Sequence, residues 1–279
     1  MRALVLGAGG QLGAELVRQV PEAVGLTRAM LSTTDLEALN VALPHYRPDV
    51  VFNCAAYNAV DDAESHPEAA YQVNAQGAFN VGLACAQFGV RLIHFSTNFV
   101  FDGALQRPYV ETDTAAPLSV YAKSKLEGER LISMVMPASL VIRTAALYAP
   151  LAEGGHASFP QRIVEIGAKE GRLSVVNDQA VNPTYVPELA AASAHLAATD
   201  LTGVVHLVSA GCCTWHELAV AALAACGVEA EVEPVPSSSR PGSSAPRPPN
   251  GCLESTRVPA LRPWQEGLRE WASRRAPGA

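Results

Sequence analysis

Charge is scarce in this 279-residue chain: charged residues make up 17% of the sequence, against 49% hydrophobic ones. That balance excludes a disordered, self-repelling polypeptide and fits a globular protein with a sizeable core. A basic excess is also missing. The formal net charge of -7 argues against a nucleic-acid partner, because gripping a phosphate backbone calls for a basic face. Long apolar runs are absent as well, none approaching the ~20 residues needed to cross a bilayer, so no membrane partner is expected. The first ten residues lack the charged, apolar and cleavage regions of a signal peptide, and a cytoplasmic location is the expectation. Six cysteines, Cys54, Cys85, Cys212, Cys213, Cys226 and Cys252, show no metal-ligand spacing. They are expected to be reduced thiols, mostly buried. The chain has no internal repeats.

What is present is alternation. Arg2-Ala3-Leu4-Val5-Leu6 is a short apolar run ending at glycine, as for a strand buried on both faces of a parallel sheet. Helical periodicity follows through Leu12, Leu16 and Val20. The runs Asp49-Val50-Val51-Phe52-Asn53 and Arg91-Leu92-Ile93-His94-Phe95-Ser96 repeat the strand pattern on either side of a helix-like stretch over 68–88. Leu140-Val141-Ile142-Arg143 repeats it again. Strands alternating with helices predict an α/β fold built on a doubly wound, Rossmann-like parallel sheet. Beyond about Tyr148 the character changes, with Gly154-Gly155, a helix-like piece over 159–168, a strand-like Leu173-Ser174-Val175-Val176, an alanine-rich helix over 187–198 and a strand over 204–208. From 234 to 251 Pro, Ser, Gly and Arg dominate, the composition of a linker. Leu261, Trp264, Leu268 and Trp271 then resume helical spacing, so this segment is expected to cross a surface rather than dangle.

The motifs fall where such a sheet binds ligands, beyond the carboxyl ends of its strands. Gly7, Gly10 and Gly13 allow a tight strand-to-helix turn, close approach to a pyrophosphate and helix packing on the sheet, with helix N-terminal amides facing the anion. The second strand leads not to the acid that binds a ribose 2′-hydroxyl but to Thr27-Arg28. Arg28 can pair with a 2′-phosphate, which favours NADPH and leaves NADH open. Asp35-Leu36 can edge the adenine, and Asp35 is equally a helix N-cap. Tyr121 and Lys125, four apart, share a helix face. A neighbouring ammonium favours the phenolate and brings a tyrosine towards neutral pH. A hydroxyl at Ser96-Thr97, at a strand end, can bind a carbonyl to which Tyr121 delivers a proton as hydride reaches carbon.

The wider text resembles the extended short-chain dehydrogenases/reductases, most closely the dTDP-4-dehydrorhamnose reductase family. The resemblance rests on Gly10-Gln11-Leu12-Gly13, Asn53-Cys54-Ala55-Ala56-Tyr57, Ala59-Val60-Asp61-Asp62-Ala63-Glu64, Val73-Asn74-Ala75 and Ser96-Thr97-Asn98-Phe99-Val100-Phe101-Asp102-Gly103. It continues through 121–129, Asn177-Asp178-Gln179, Pro183-Thr184, Thr214-Trp215-His216 and Arg247-Pro248-Pro249-Asn250. It implies NADPH-dependent reduction of the C4 keto group of a nucleotide-linked 6-deoxyhexose, with Thr97, Tyr121 and Lys125 as the catalytic residues. Lys125 would hold the nicotinamide ribose. Gly7, Gly10, Gln11, Leu12, Ala55, Ala56, Tyr57 and Ser96 would line the cofactor beside Arg28, Asp35 and Leu36. Asn58, Val60, Thr97, Asn98, Phe99, Ala146, Arg247 and Asn250 would surround the sugar nucleotide. The division implied is a dinucleotide-binding domain over 1–150 with a returning segment near 182–205, and a smaller C-terminal α/β substrate-binding domain from 151–181 and 206–279.

Asn98, Phe99, Asn58, Ala146 and Gly251 depart from the family's usual acid, tyrosine, threonine, aromatic and serine. These positions leave another 4-ketosugar, or the opposite C4 configuration, as an alternative. A non-catalytic dinucleotide-binding subunit like the methionine adenosyltransferase beta subunit is a second alternative. Epimerase or dehydratase chemistry ranks low, because Asn98 cannot titrate. No metal is expected, with Glu15 read as a solvated charge. His216 is read as a ligand contact or as a capping or packing residue. A homodimer is left open.

Overall fold

The computed structural model describes residues 1–150, 157–239 and 245–274. Gly154-Gly155 and positions 240–244 of the Pro/Ser-rich stretch lie outside the described residues. Five strands, β1 (Ala3–Leu6), β2 (Val24–Leu26), β3 (Val50–Asn53), β4 (Arg91–Thr97) and β5 (Leu140–Thr144), join a later one, Gly203–His206, in a six-stranded sheet. Its order is Gly203–His206, β5, β4, β3, β1, β2, with every pair parallel. The sheet is doubly wound because alternate residues of each strand point to opposite faces. Val5, Phe52, Ile93, Leu140 and Ile142 pack with the Gln11–Gln19 and Val186–Ala197 helices on one face. Leu4, Leu6, Val51 and Leu92 pack with the Leu36–Tyr46 and Ala78–Phe88 helices on the other. Each such side chain, taken fully from water, contributes about 1.5–3 kcal/mol.

The order in which strands are added reverses between β1 and β3, with β2 on one side of β1 and β3 to β5 on the other, and ligands of such sheets bind at that switch point. There the turns after the two strands touch. A Cβ on Gly7, whose φ is +78°, would lie 2.7 Å from Ala55 N.

The helix-like stretch over 68–88 is helical, but not uniformly so. Pro67–Tyr71 and Ala78–Phe88 are α-helical, and the six residues Gln72–Gly77 between them form a π-helix. Such wide turns concentrate at functional sites. This one presents Asn74, whose side chain accepts from Tyr57 N at 2.8 Å and donates to Tyr57 O and to Ser124 Oγ, each at 2.9 Å. Leu261, expected in the last helix, instead stands in a short strand, Leu261–Pro263, that pairs with Ser209–Ala210. The helix starts only at Trp264, since Pro263 has no N–H to donate and suits the position before a first turn.

A second apolar cluster lies outside the sheet. It joins Ile163 and Val164 of the Phe159–Glu170 helix, Leu218 and Ala222 of the Trp215–Ala225 helix, and Trp264, Leu268 and Trp271.

The expectation of six reduced thiols is corrected. Cys212 and Cys252 are joined in a disulfide, their Cα atoms 6.1 Å apart. Both flank one short element: Cys213-Thr214 pairs antiparallel with Ala180-Val181, and Asn250 bridges to Ala180 from the other side.

The Glu111 carboxyl ties the segment at 254–256 to the sheet. Burial alone pushes it up, but hydrogen bonds from Ser255, Thr256 N and His206 N outweigh that and hold it at about 2. A depressed carboxyl stabilises above its unfolded value and loses that contribution as pH falls through the folded one. The stability advantage of the protein over Glu111→Gln should therefore be full above pH ~4.5 and fade towards pH ~2, as read by urea titrations at successive pH values.

Candidate active site

The site forms at the carboxyl ends of β1, β3, β4 and β5. Gly7 N and Ala8 N both donate to Leu26 O, and Gly10 N to Gly7 O at 3.0 Å, curling the turn ahead of the Gln11–Gln19 helix. A Cβ on Gly13 would run into Gly7 O, whereas on Gly10 it would meet nothing nearer than Gly7 O at 3.5 Å. The turn is thus closed on its inner side and open at Gly10, a cradle for an anionic group. Leu12 is buried beneath it. Beyond β3, Asn53 Oδ1 accepts from Ala55 N at 3.2 Å, and Asn53 Nδ2 meets His94 Nδ1 at 3.1 Å, which orients the Ala55-Ala56-Tyr57 turn.

The Val120–Val135 helix brings Tyr121 and Lys125 to the end of β4. Ser119 caps it by accepting from Ala122 N at 3.2 Å, and Glu64 accepts from Val120 N at 2.7 Å. Thr97, buried at the strand end, lies beside the Tyr121 phenol. Thr97 Oγ1 also accepts from Phe99 N at 3.2 Å and donates to Asn98 Oδ1 at 3.3 Å. Phe99 lies edge-on to Tyr121, with ring centroids 6.1 Å apart.

The spacing predicts that the Lys125 ammonium lowers the Tyr121 phenol, and here the structure differs. Lys125 Nζ donates to Phe95 O at 2.7 Å. Burial pushes the Tyr121 phenol above its ordinary value, and the nearby Thr97 hydroxyl offsets this only in part. Low-dielectric surroundings disfavour the phenolate, and the ammonium is engaged with the strand backbone. Burial lowers Lys125 itself to about 8, against the opposing influence of Glu129 and Cys54.

A small cleft adjoins these groups, lined by Asn98, Phe99, Gln179, Val181, Trp215, Arg247 and Pro248. Arg247 pairs with Asp61, Nη2 to Oδ2 at 2.6 Å. Asn250 donates to Leu105 O and Arg107 O at 2.7 and 2.8 Å, fixing the turn that carries Arg247. Asn98 Nδ2 donates to Gly251 O at 2.9 Å, and a Cβ at position 251 would collide with that amide. Two of the departures from the family pattern, Asn98 and Gly251, are therefore matched to each other. Ala146 takes a left-handed backbone, φ +43°, just past β5.

Other expected residues stand apart from the cleft lining. Arg28 is exposed near the end of edge strand β2, where it makes no ion pair among the described residues. Asp35 is a helix N-cap, accepting from Ala38 N at 2.9 Å, and Leu36 begins that helix. Asn58 is exposed, and Val60 opens a short helix, Val60–Ser65. Glu15 accepts from Arg18 Nε at 2.9 Å and from Gln19. Among the described residues no group of three or more His, Cys, Asp or Glu is arranged to hold a metal ion. His216 Nε2 meets Val232 O at 3.2 Å, so it ties a helix to a strand. Gln179 and Trp215 were passed over as site residues, although both lie in motifs shared with the family.

The chain's likenesses agree with this arrangement. The model of the RmlD substrate binding domain matches residues 1–276. A dTDP-4-dehydrorhamnose reductase of Mycobacterium tuberculosis is 39% identical over 96% of this chain and 91% of its own length. The spore coat polysaccharide biosynthesis protein SpsK of Bacillus subtilis is 35% identical over 99% and 98%. The crystal structure of a dTDP-4-dehydrorhamnose reductase from Bacillus anthracis in complex with NADP is 29% identical, with a TM-score of 0.92, and the match covers 97% of this chain and 98% of that one. With a family model spanning nearly every residue and a glycine turn, strand-end hydroxyls and a Tyr-Lys helix in one site, the chain belongs to the RmlD substrate binding domain family.

Proposed function

We propose that the protein reduces the C4 keto group of a dTDP-linked 4-keto-6-deoxyhexose with NADPH, in the manner of a dTDP-4-dehydrorhamnose reductase. The observation that carries the reading is the placing of Tyr121 against Phe99 and beside Thr97 at the end of β4, with Lys125 one helical turn on. A protonated phenol is what a reduction requires, and burial keeps Tyr121 protonated. Tyr121 donates its proton to the C4 oxygen, while the Thr97 hydroxyl fixes the direction of the carbonyl. A positioned general acid of this kind contributes about 10²–10⁴-fold.

The open cradle at Gly10 and the turn at Ala55-Ala56-Tyr57 suit a dinucleotide. Gly7, Gly10, Gln11 and Leu12 would hold its diphosphate, Ser96 and Lys125 the nicotinamide ribose, and Arg28 the 2′-phosphate. Bound there, NADPH supplies the hydride. In this reading Asn98, Phe99, Ala146, Arg247 and Asn250 form the nucleotide-sugar side, with Gln179 and Trp215 added. The second apolar body serves as the substrate domain, and the enzyme works in the cytoplasm.

Oxidation of NADPH in the presence of dTDP-4-keto-6-deoxy-L-mannose, with the product identified by NMR, tests the reading. The C4 configuration of the product separates rhamnose from its epimer. The matched pair Asn98 and Gly251 favours an altered sugar pocket as the second reading, and turnover of a different dTDP-4-ketosugar alone would select it. NADPH binding without turnover of any such sugar would favour a regulatory subunit. Light scattering decides whether two copies associate. Arg28→Ala should weaken NADPH by about 1 kcal/mol or more and NADH hardly at all; equal weakening would remove Arg28 from the cofactor site.

A further inference from the structure

Glu129 lies one helical turn beyond Lys125 and two beyond Tyr121, so the three share one face of the Val120–Val135 helix. That face covers the strand pair in which Ser96 stands directly beside Arg143. Residues in register point to the same side of a sheet, and Glu129 reaches both. Its carboxylate accepts from Arg143 Nε at 3.0 Å, from Arg143 Nη2 at 2.6 Å and from Ser96 Oγ. Arg143 also stacks on the Phe101 ring, 5.2 Å from its centroid. The Glu129 and Arg143 side chains are 5% and 7% exposed.

An ion pair this deep is costly to desolvate and is weak evidence of a stabilising role. Its neighbour explains it better. Lys125 is 2% exposed, and its nearest fixed partner is a neutral carbonyl, Phe95 O. Among the described residues the titratable groups that bear on it are Glu129 from its own helix, Cys54 after β3 and His94 on β4, with Tyr121 one turn earlier on the helix. Burial keeps the Cys54 thiol protonated, and burial together with Lys125 keeps His94 neutral. The Tyr121 phenol is protonated too. Of these groups Glu129 does most to favour the charged form of Lys125.

We propose that Glu129, clamped by Arg143 and Ser96, is a positioning residue whose charge keeps the buried Lys125 ammonium protonated and seated on the Phe95 carbonyl. Arg143 and Ser96 fix the position of the carboxylate. The role of Lys125 in turnover rests on the reductase reading; the dependence of its charge on Glu129 does not.

The chain contains only three lysines, Lys123, Lys125 and Lys169, so NMR of the protein carrying ¹³C at lysine Cε resolves the Lys125 titration directly. In the parent protein its midpoint should lie at about 8. In Glu129→Gln it should fall by about one unit, since a lost neighbouring countercharge shifts a buried group on that scale. The high-pH limb of kcat/KM should move with it, and Glu129→Asp should restore both. Because Glu129→Gln leaves a buried guanidinium unpaired and is liable to misfold, the double variant Glu129→Gln/Arg143→Met, which has no such charge, is read in the same way. A Lys125 midpoint unchanged in whichever variant folds overturns the proposal. A midpoint that shifts in a protein reducing no ketosugar upholds the proposal and removes the reductase reading.

Discussion

Tyr121→Phe is expected to lower kcat by about 10²–10⁴-fold, the contribution of a positioned proton donor, with NADPH affinity nearly unchanged. The substitution removes one oxygen and keeps the ring that lies edge-on to Phe99, so packing should survive. Only the phenolic hydroxyl beside Thr97 is lost. An effect confined to kcat marks an interaction made in the transition state rather than in binding. Steady-state kinetics beside a fluorescence titration of NADPH makes the comparison. Near-normal turnover would displace Tyr121 as the donor and, with it, the chemical role given to Thr97.

Gly128→Ala should be destabilising despite the higher helix propensity of alanine, worth about 1 kcal/mol. A Cβ at position 128 would collide with the backbone carbonyl of Asn74 in the π-turn. That carbonyl cannot step aside, because the Asn74 side chain is bonded to both backbone groups of Tyr57 and to Ser124. Overpacking typically costs about 1–3 kcal/mol, enough to cancel the propensity gain and in most of that range to exceed it. Relief requires the Val120–Val135 helix to back away from the π-turn, which carries Tyr121 and Lys125 off the end of β4, so kcat should fall as well. Gly82→Ala is the control. Its Cβ would meet the Val135 Cγ2 methyl at 3.1 Å, a side chain able to rotate, so the loss should be smaller. Urea unfolding and kcat measured on both variants decide the matter; a Gly128→Ala protein as stable and active as its parent would show that the π-turn does not constrain the helix.

The strands β1, β3, β4 and β5 were legible because each is buried on both faces. Val50, Val51 and Phe52 are all 0% exposed, and a segment with no solvent side must read as an unbroken apolar run. The helix bearing Tyr121 and Lys125 was legible from spacing, since four residues make about one turn. The direction of the Tyr121 shift was not, because it depends on how thoroughly the neighbouring elements exclude water, and a local pattern carries no measure of burial. The same limit hid the part played by Asn74: its motif was visible, but its partners Tyr57 and Ser124 lie 17 and 50 residues away.

By itself the amino-acid order determined the alternation of strands and helices, the glycine turn after β1 and the placing of Thr97, Tyr121 and Lys125 within one α/β unit. Each of these rests on periodicity or backbone freedom acting over a few residues. Only the tertiary structure decided that Arg247 meets Asp61 across 186 positions, that Cys212 joins Cys252 across 40, and that Asn98 and Gly251 fit together. Such pairings are set by which segments the packed sheet and the second apolar cluster bring into contact, and burial and distance between remote segments exist only once the chain has closed on itself.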